Sequence, residues 1–326
     1  MDKYLPGLLL CCGGAALAVL ANRALPEVSA LLVAILLGAL LANTVEPRPS
    51  WGPGVAFASK KLLRAGIVLL GLQLVLGDIV ALGAGMVLVV VAVVTLGVAG
   101  GLLVGRMLGL NQKLSLLIAS GFSICGAAAV AGVDSVIEAE ERDVATAIAL
   151  VVLFGTGMIP LVPLLADLLG MGQYTAGLWA GGSIHEVAQV VAAGAAIGPE
   201  ALKVAVVVKL ARVLMLAPLT IAIGWWLRRR HVAAEQDQGH RPPLVPLFVL
   251  GFLAMVVVAS LHLLPHDALA GAKLVQTALL AAAMFGLGMG VRITALAGVG
   301  PRPFLLGALT TLWVASIAWV GVALTH

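Results

Sequence analysis

The stretch Gly181-Gly-Ser-Ile-His-Glu-Val-Ala-Gln189 interrupts an otherwise apolar run that extends from residue 173 to residue 198. A helix that crosses the hydrocarbon of a bilayer needs about 20 apolar residues, and this run is long enough. An ionisable side chain inside lipid costs at least about 2.5 kcal/mol on insertion scales, so His185 and Glu186 require a functional reason. The stretch therefore predicts a transmembrane helix that is broken at its centre by a polar site.

The composition of the whole chain indicates a membrane protein. Residues of the set AVILMFWYC make up 62% of the 326 residues, charged residues make up 10%, and the mean hydropathy is +1.14. A soluble domain carries about 25% charged residues, so this chain could not cover a water-exposed surface. Soluble enzymes, nucleic-acid binders and disordered proteins are excluded on this ground. The net charge of +4 indicates basic loops on the cytoplasmic side of a membrane.

The apolar runs predict an all-α membrane protein, a polytopic bundle of about 11 transmembrane helices in one transmembrane domain, residues 1–326. The runs are continuous and do not alternate, which favours helices over a β-barrel. A polar segment, residues 228–243, is expected to be a cytoplasmic linker. The eleven predicted runs are 5–21, 28–42, 61–79, 84–106, 112–138, 143–169, 173–198, 201–227, 244–264, 271–291 and 304–325.

The distribution of Lys and Arg predicts the orientation of these runs. If every run crosses once, one side holds 13 basic residues, and the other holds Arg23, Arg142, Lys203 and Lys273. Such an excess marks the cytoplasmic side, which places the N-terminus inside and the C-terminus outside. Three cysteines do not make a disulfide framework. We expect the first run to be a transmembrane helix and not a cleaved leader.

Two short motifs with the same layout lie 60 residues apart. Ser123-Ile-Cys-Gly126 and Ser183-Ile-His-Glu186 each follow glycine and precede a helix of small residues. The predicted spans run in the same direction, whereas an inverted duplication would make them opposite. Either one segment is re-entrant or the motifs arose separately. A weaker internal similarity relates 61–81 to 276–296, as expected for an inverted repeat.

Each motif predicts a break with a free helix N-terminus after it. Ser183 is expected to cap the half-helix that follows, and the N–H groups at such an end attract an anion. Glu186 and Gln189 are three residues apart and should share a helix face. Two such ends that face each other would form a substrate site near the middle of the membrane. Glycine and serine also pack membrane helices, which is the alternative for the Cys125 motif.

Two cations lie inside the run 201–227. Lys209 and Arg212 are three residues apart and should project to one side. They could neutralise Glu186, bind an anionic substrate, or form a structural ion pair. Asp134 is expected near the membrane interface.

The sequence gives weaker support to a metal site or to an enzyme active site. His185-Glu186-x-x-Gln189 lacks the second His of a zinc motif, and Cys125 has no nucleophile partner nearby in sequence. We therefore expect no metal, no cofactor and no catalytic residue.

The chain resembles the sulfate-exporter family of YeiH-type bacterial membrane proteins. The matching stretches follow the order of that family along most of the chain, and Ser183 replaces the usual Thr. The stretches are Arg64-Ala-Gly-Ile-Val-Leu-Leu-Gly-Leu72, Ser123-Ile-Cys-Gly-Ala-Ala-Ala129, Ser183-Ile-His-Glu-Val-Ala-Gln-Val-Val-Ala-Ala-Gly194 and Val208-Lys-Leu-Ala-Arg-Val-Leu-Met-Leu-Ala-Pro218. The resemblance implies a transporter of the bacterial inner membrane. The resemblance also implies a distant similarity to the cation–proton antiporter and bile-acid symporter superfamily, whose members use two broken helices.

These observations predict a secondary active transporter of a small anion, such as sulfate, an organosulfonate or a carboxylate. Glu186 and His185 would carry a coupling proton if a proton and not Na⁺ is the coupling ion, and a homo-oligomer, a dimer, is expected. One rival is a monovalent cation–proton antiporter. The other is a membrane enzyme or a subunit of a larger complex. The predicted substrate-binding residues are Ser123, Cys125, Gly126, Ser183, His185, Gln189, Lys209 and Arg212.

Overall fold

The computed structural model describes residues 3–24, 30–233, 247–290 and 300–326. Helices account for most of these residues, and no strand occurs among them. The helices are α1 Leu5–Ala24, α2 Ala30–Thr44, α3 Gly52–Phe57, α4 Leu63–Leu70, α5 Leu76–Ala81, α6 Gly83–Met107, α7 Gln112–Ser123, α8 Ala127–Ile137, α9 Glu141–Leu168, α10 Gln173–Ser183, α11 Val187–Ile197, α12 Pro199–Leu214, α13 Leu216–Ala233, α14 Leu247–Ser260, α15 His266–Met289 and α16 Pro301–Thr325.

Six helical stretches of the described chain are long and apolar enough to cross a membrane. The prediction of a polytopic helical membrane protein is therefore confirmed, but the count of about 11 crossings is not. The predicted runs 112–138 and 173–198 each contain two helices of 11 or 12 residues. A helix of 12 residues is about 18 Å long, too short for a hydrocarbon core of about 30 Å. The six stretches are Leu5–Arg23, Gly83–Met107, Glu141–Leu168, Pro199–Leu227, Asp267–Met289 and Pro301–Thr325.

The first of these short pairs, α7 and α8, folds back on itself. Lys113, in the first turn of α7, donates from Nζ to the carbonyl of Glu138, just beyond the end of α8, at 2.8 Å. Asn111 donates to a carboxylate oxygen of Asp143 in the first turn of α9 at 3.0 Å. Both ends of the segment therefore lie at one face of the protein. We call residues 112–137 the first hairpin.

The second pair, α10 and α11, also folds back. Gly198, directly after α11, lies against the side chain of Gln173 at the start of α10, where a Cβ would come within 2.5 Å of Cδ. Gly177 on α10 and Gly194 on α11 both lie against the first turn of α12. We call residues 173–197 the second hairpin. The 28 residues of α9 connect the two hairpin bases and span about 42 Å, so the hairpins enter from opposite faces.

This geometry corrects the prediction that both segments cross the membrane in the same direction. Each segment folds back at its break, and the bases of the two hairpins lie at opposite ends of α9. The conflict between their similarity and their predicted direction disappears, because neither segment crosses.

Most of the remaining helices form two groups, and α5 and α13 belong to neither. α6, α9, α12 and α16 surround the hairpins, and we call these helices with the hairpins the hairpin group. α1 to α4, α14 and α15 form a second group around α15. Small residues let its helices approach closely: Gly38 lies against the backbone of Phe285, and Gly66 lies against Leu280. The weak internal repeat lies in this second group, with residues 291–296 outside the described chain.

Candidate functional site

The tips of the two hairpins meet inside the protein. Helical geometry is interrupted at Ile124–Gly126 and again at Ile184–Glu186. Gly126 has φ +76° and ψ −135°, a region open essentially only to glycine. Its N–H donates to the carbonyl of Gly121 at 2.8 Å and closes the end of α7. The sequence motifs therefore mark both breaks correctly.

Arg212 on α12 binds the carbonyl ends of both entering half-helices. It is fully buried, and its guanidinium donates five hydrogen bonds of 2.8–3.0 Å to backbone oxygens. The last carbonyls of a helix have no partner within it and carry partial negative charge. Arg212 thus satisfies the ends of α7 and α10 at once. The acceptors are the carbonyls of Phe122, Ser123, Gly181, Gly182 and Ile184.

Lys209 lies one turn earlier on α12 and performs the same task at the tips. Its Nζ donates to the carbonyls of Ile124 at 2.6 Å, Ile184 at 2.8 Å and His185 at 2.5 Å. Three acceptors around one nitrogen match the three donors of a protonated ammonium group. All of its donors are therefore used by the backbone.

Lys209 and Arg212 project to one side of α12, and that side faces the two motifs. Within the described chain, however, their hydrogen bonds go to peptide carbonyls and not to the Glu186 carboxylate. They hold the two hairpin tips together through the C-terminal ends of α7 and α10. Sequence alone could not distinguish a carbonyl partner from a carboxylate.

Glu186 binds the other pair of helix ends. It is the N-cap of α11 and forms a capping box with Gln189, in which each side chain accepts from the backbone N–H of the other residue. Its Oε1 also accepts from the N–H of Ala127, the first residue of α8, at 3.0 Å. One buried carboxylate therefore contacts the N-termini of both returning half-helices.

The prediction that Ser183 caps the half-helix after the break is wrong. Ser183 is the last residue of α10, and the break follows it. The cap moves three residues onward to Glu186, whose longer side chain reaches both helix ends. The hydroxyls of Ser123 and Ser183 are buried without a hydrogen-bond partner among the described residues, and so is Nε2 of Gln189.

His185 links the second hairpin to the first hairpin and to α16. Its Nδ1 lies 3.2 Å from the carbonyl of Phe122, and its Nε2 lies 3.0 Å from the hydroxyl of Thr311. A carbonyl only accepts, so Nδ1 carries a proton. The ring also packs on that of Phe122, with centroids 4.4 Å apart. Sequence analysis missed Thr311, for which the only signal is a polar pair, Thr310-Thr311, in an apolar run.

Cys125 is buried in the first tip, where its thiol interacts with the backbone N–H of Ala129 in the first turn of α8. All the predicted site residues therefore lie at or beside the meeting point of the tips, within the described chain. The meeting point of the tips is shielded from bulk solvent, because Lys209, Arg212, His185 and the two serines are completely buried.

A cavity of about 440 Å³ lies between the two helix groups. It is at the face where the first hairpin begins and ends. Asp134, seven residues from Ala127 on α8, lines it, so its wall lies about 10 Å along the helix from the Glu186 contact. A π-helical turn, Ala58–Leu62, contributes Ser59 and Lys60. Other lining residues are Arg48, Trp51, Glu141 and Gly290.

Comparison with known proteins places the chain in a family. A family model described as "Conserved hypothetical protein 698" matches residues 6–307. A UPF0324 membrane protein of Corynebacterium glutamicum is 53% identical over 326 residues, covering 100% of this chain and 94% of that protein. UPF0324 membrane proteins of Pseudomonas aeruginosa and Bradyrhizobium diazoefficiens are 41% and 35% identical, covering 96% and 99% of this chain and 92% of each relative. No solved structure matches. The chain therefore belongs to the UPF0324 family of bacterial membrane proteins.

Proposed function

We propose that this protein is a secondary active transporter of a small anion. The observation that carries the proposal is the meeting of two opposed re-entrant hairpins at a buried cluster of charged residues. Irregular backbone at membrane depth is tolerated only where protein or a cavity surrounds it. Transporters use such half-helix ends to bind substrates near the middle of the membrane.

The distribution of charge in the cluster favours an anion over a cation. The carbonyl ends of α7 and α10, which could ligate a cation, are already occupied by Lys209 and Arg212. The N–H ends of α8 and α11 have no cationic partner among the described residues, and the carboxylate of Glu186 is the charged group that binds both of them. With His185 neutral, two cations and one carboxylate leave the cluster with a net positive charge. The resemblance to sulfate exporters points to sulfate, an organosulfonate or a carboxylate.

Glu186 is the best placed group to carry a coupling proton. It can change charge while its backbone partners stay in place, and it contacts both hairpins. His185 is the second candidate, since its Nε2 faces a hydroxyl that can donate or accept. The other charged or titratable groups around Glu186 are Lys209, Arg212 and Cys125.

Access to the site would alternate by movement of the hairpin group against the second group. The cavity between them lies at the face where the first hairpin begins and ends. Because the first hairpin returns to the face where it began, Arg142 joins the basic side and the predicted 13-to-4 distribution becomes 14 to 3. We propose that this face is cytoplasmic, in the bacterial plasma membrane, with the N-terminus inside and the C-terminus outside.

Uptake into proteoliposomes tests the proposal. Purified protein should accumulate a labelled anion from a panel of sulfate, an organosulfonate and a small carboxylate, and unlabelled anion should compete. Empty liposomes and an unrelated membrane protein of similar size serve as controls. The proposal fails if no anion is taken up while Na⁺ or K⁺ drives proton movement measured with a pH-sensitive dye, because that result identifies a cation–proton antiporter.

A further inference from the structure

The carboxylate of Glu186 occupies the place that the proposed function assigns to an anion. Oε1 accepts from the first N–H of α8 at 3.0 Å, and the same side chain accepts from the N–H of Gln189 in the first turn of α11. Helix N-termini bind carboxylates and oxyanions through such N–H groups. Here the anion is part of the chain, and it connects the two hairpins.

The surroundings hold a donor that this carboxylate leaves unused. The amide of Gln189 lies at the same helix end, because its Oε1 accepts from the N–H of Glu186 at 3.1 Å. Its Nε2 is buried and has no partner among the described residues. A buried donor without a partner costs about 1–3 kcal/mol, so a bound anion that accepts from Nε2 would remove this cost.

The first tip is shaped to admit an anion at this point. Gly126 has no side chain, and a Cβ there would lie 2.7 Å from Oε1 of Glu186. The carboxylate therefore lies directly over the bare backbone of the first tip. Lys209 provides positive charge nearby while its own donors are bound to carbonyls, so it attracts an anion without needing to move.

We infer that Glu186 is a built-in occupant of the substrate site and that transport begins when a small oxyanion displaces it. This inference rests on the proposed function and deepens it by naming the ligand class. The ligand is a carboxylate or another oxyanion group of similar size, bound between the N-termini of α8 and α11 with Nε2 of Gln189 as an additional donor. Displacement breaks the Glu186–Ala127 bond between the hairpins and leaves His185 to Phe122 as the direct bond between the tips that must still open.

Removal of the occupant tests the inference directly. In Glu186→Ala, formate should occupy the vacated place and raise the unfolding temperature of the purified protein in detergent, with a saturable dependence on formate concentration. The wild type should show little shift, because its own carboxylate competes at very high effective concentration. Glu200→Ala is the matched control, because Glu200 lies in the first turn of α12 but is exposed. Equal formate shifts in all three proteins, or no saturable shift in Glu186→Ala, would overturn the inference.

Glu186→Gln provides a second measurement should the alanine variant fail to fold. The amide oxygen of Gln can still accept from Ala127, but a neutral acceptor bonds more weakly than a carboxylate. Formate should therefore bind Glu186→Gln at least about tenfold more tightly than it binds the wild type. Equal or weaker binding would contradict displacement.

The two proposals fail separately. If formate stabilises Glu186→Ala but the wild type takes up no anion, the protein has an anion site that serves another function. Anion uptake by the wild type without any effect of Glu186 substitutions on formate binding would leave a transporter whose substrate binds elsewhere.

Discussion

The two hairpins have the same layout but contribute different chemistry at their tips. Each consists of two half-helices around a Ser-Ile-x-x break. The first tip ends in Gly126, which caps α8 with no side chain. The second tip ends in Glu186, which caps its own α11 and also the α8 of the first hairpin.

This difference shows which part of the site is fixed and which part can change. The carbonyl ends of α7 and α10 have the same partners, because Arg212 and Lys209 each bind both hairpins. At the N–H ends, by contrast, the group that binds both hairpins is one carboxylate from the second hairpin. We therefore infer that Arg212 and Lys209 hold the two hairpins together throughout, and that Glu186 is the group that a substrate can replace.

The largest effect is expected from replacing Arg212, which binds both hairpins. Arg212→Met leaves the carbonyls of Ser123, Gly181 and Gly182 without their side-chain donor, whereas those of Phe122 and Ile184 keep the bonds from His185 and Lys209. The free energy of unfolding should fall by at least about 3 kcal/mol, because buried unsatisfied polar groups cost about 1–3 kcal/mol each. Thermal unfolding in detergent measures the change. Lys203→Met on the same helix is exposed and should have little effect; equal unfolding temperatures for the two variants would refute the role of Arg212.

A smaller effect should come from adding a side chain to the first tip. Gly126→Ala introduces strain at φ +76° and a collision with the Glu186 carboxylate. We expect a loss of about 2–3 kcal/mol and loss of transport. Gly83→Ala is the control, because Gly83 has φ +83° and nothing lies within 4 Å of its Cβ position. If Gly126→Ala unfolds and transports like Gly83→Ala, the close approach of Glu186 has no consequence.

The second tip can be perturbed through its capping partner. A Cβ at Gly155 on α9 would lie 2.6 Å from Nε2 of Gln189, whereas Gly157 on the same helix has free space around it. Gly155→Ala should destabilise by about 1–2 kcal/mol through overpacking. Gly157→Ala should stabilise by about 0.5–1 kcal/mol, as alanine does in a helix. Chemical unfolding of both variants checks the opposite signs, and stabilisation by both would exclude the capping geometry.

The smallest effect is expected where the second tip meets α16. Thr311→Val removes the hydroxyl that faces His185 Nε2 at 3.0 Å, which should cost about 1 kcal/mol. Thr325→Val removes a hydroxyl on the same helix that bonds only to backbone and is exposed. Unfolding temperatures of the pair compare the two losses. A larger loss in Thr325→Val would argue against the His185 contact.

Sequence analysis located the site better than it described the path of the chain. The polar motifs and the two cations were identifiable because charge and clustered glycine are rare and costly inside apolar runs. The re-entrant course was not, because two helices of 11 or 12 residues with a break have the length of one crossing helix. The cap at Glu186 was not predictable either. Its position depends on the residue at which the break ends, and the sequence locates that residue only to within a few positions. Thr311 belongs to a distant helix and carries no motif.

We expect Glu186 to couple the movement of a small anion to that of a proton. Proteoliposomes that take up a labelled anion should be compared under an imposed pH gradient with wild type, Glu186→Gln and the exposed control Glu200→Gln. The account predicts gradient-driven accumulation by the wild type and by Glu200→Gln. In Glu186→Gln, exchange of anion for anion should persist, but the pH gradient should no longer drive accumulation. Undiminished gradient-driven accumulation by Glu186→Gln would contradict the account.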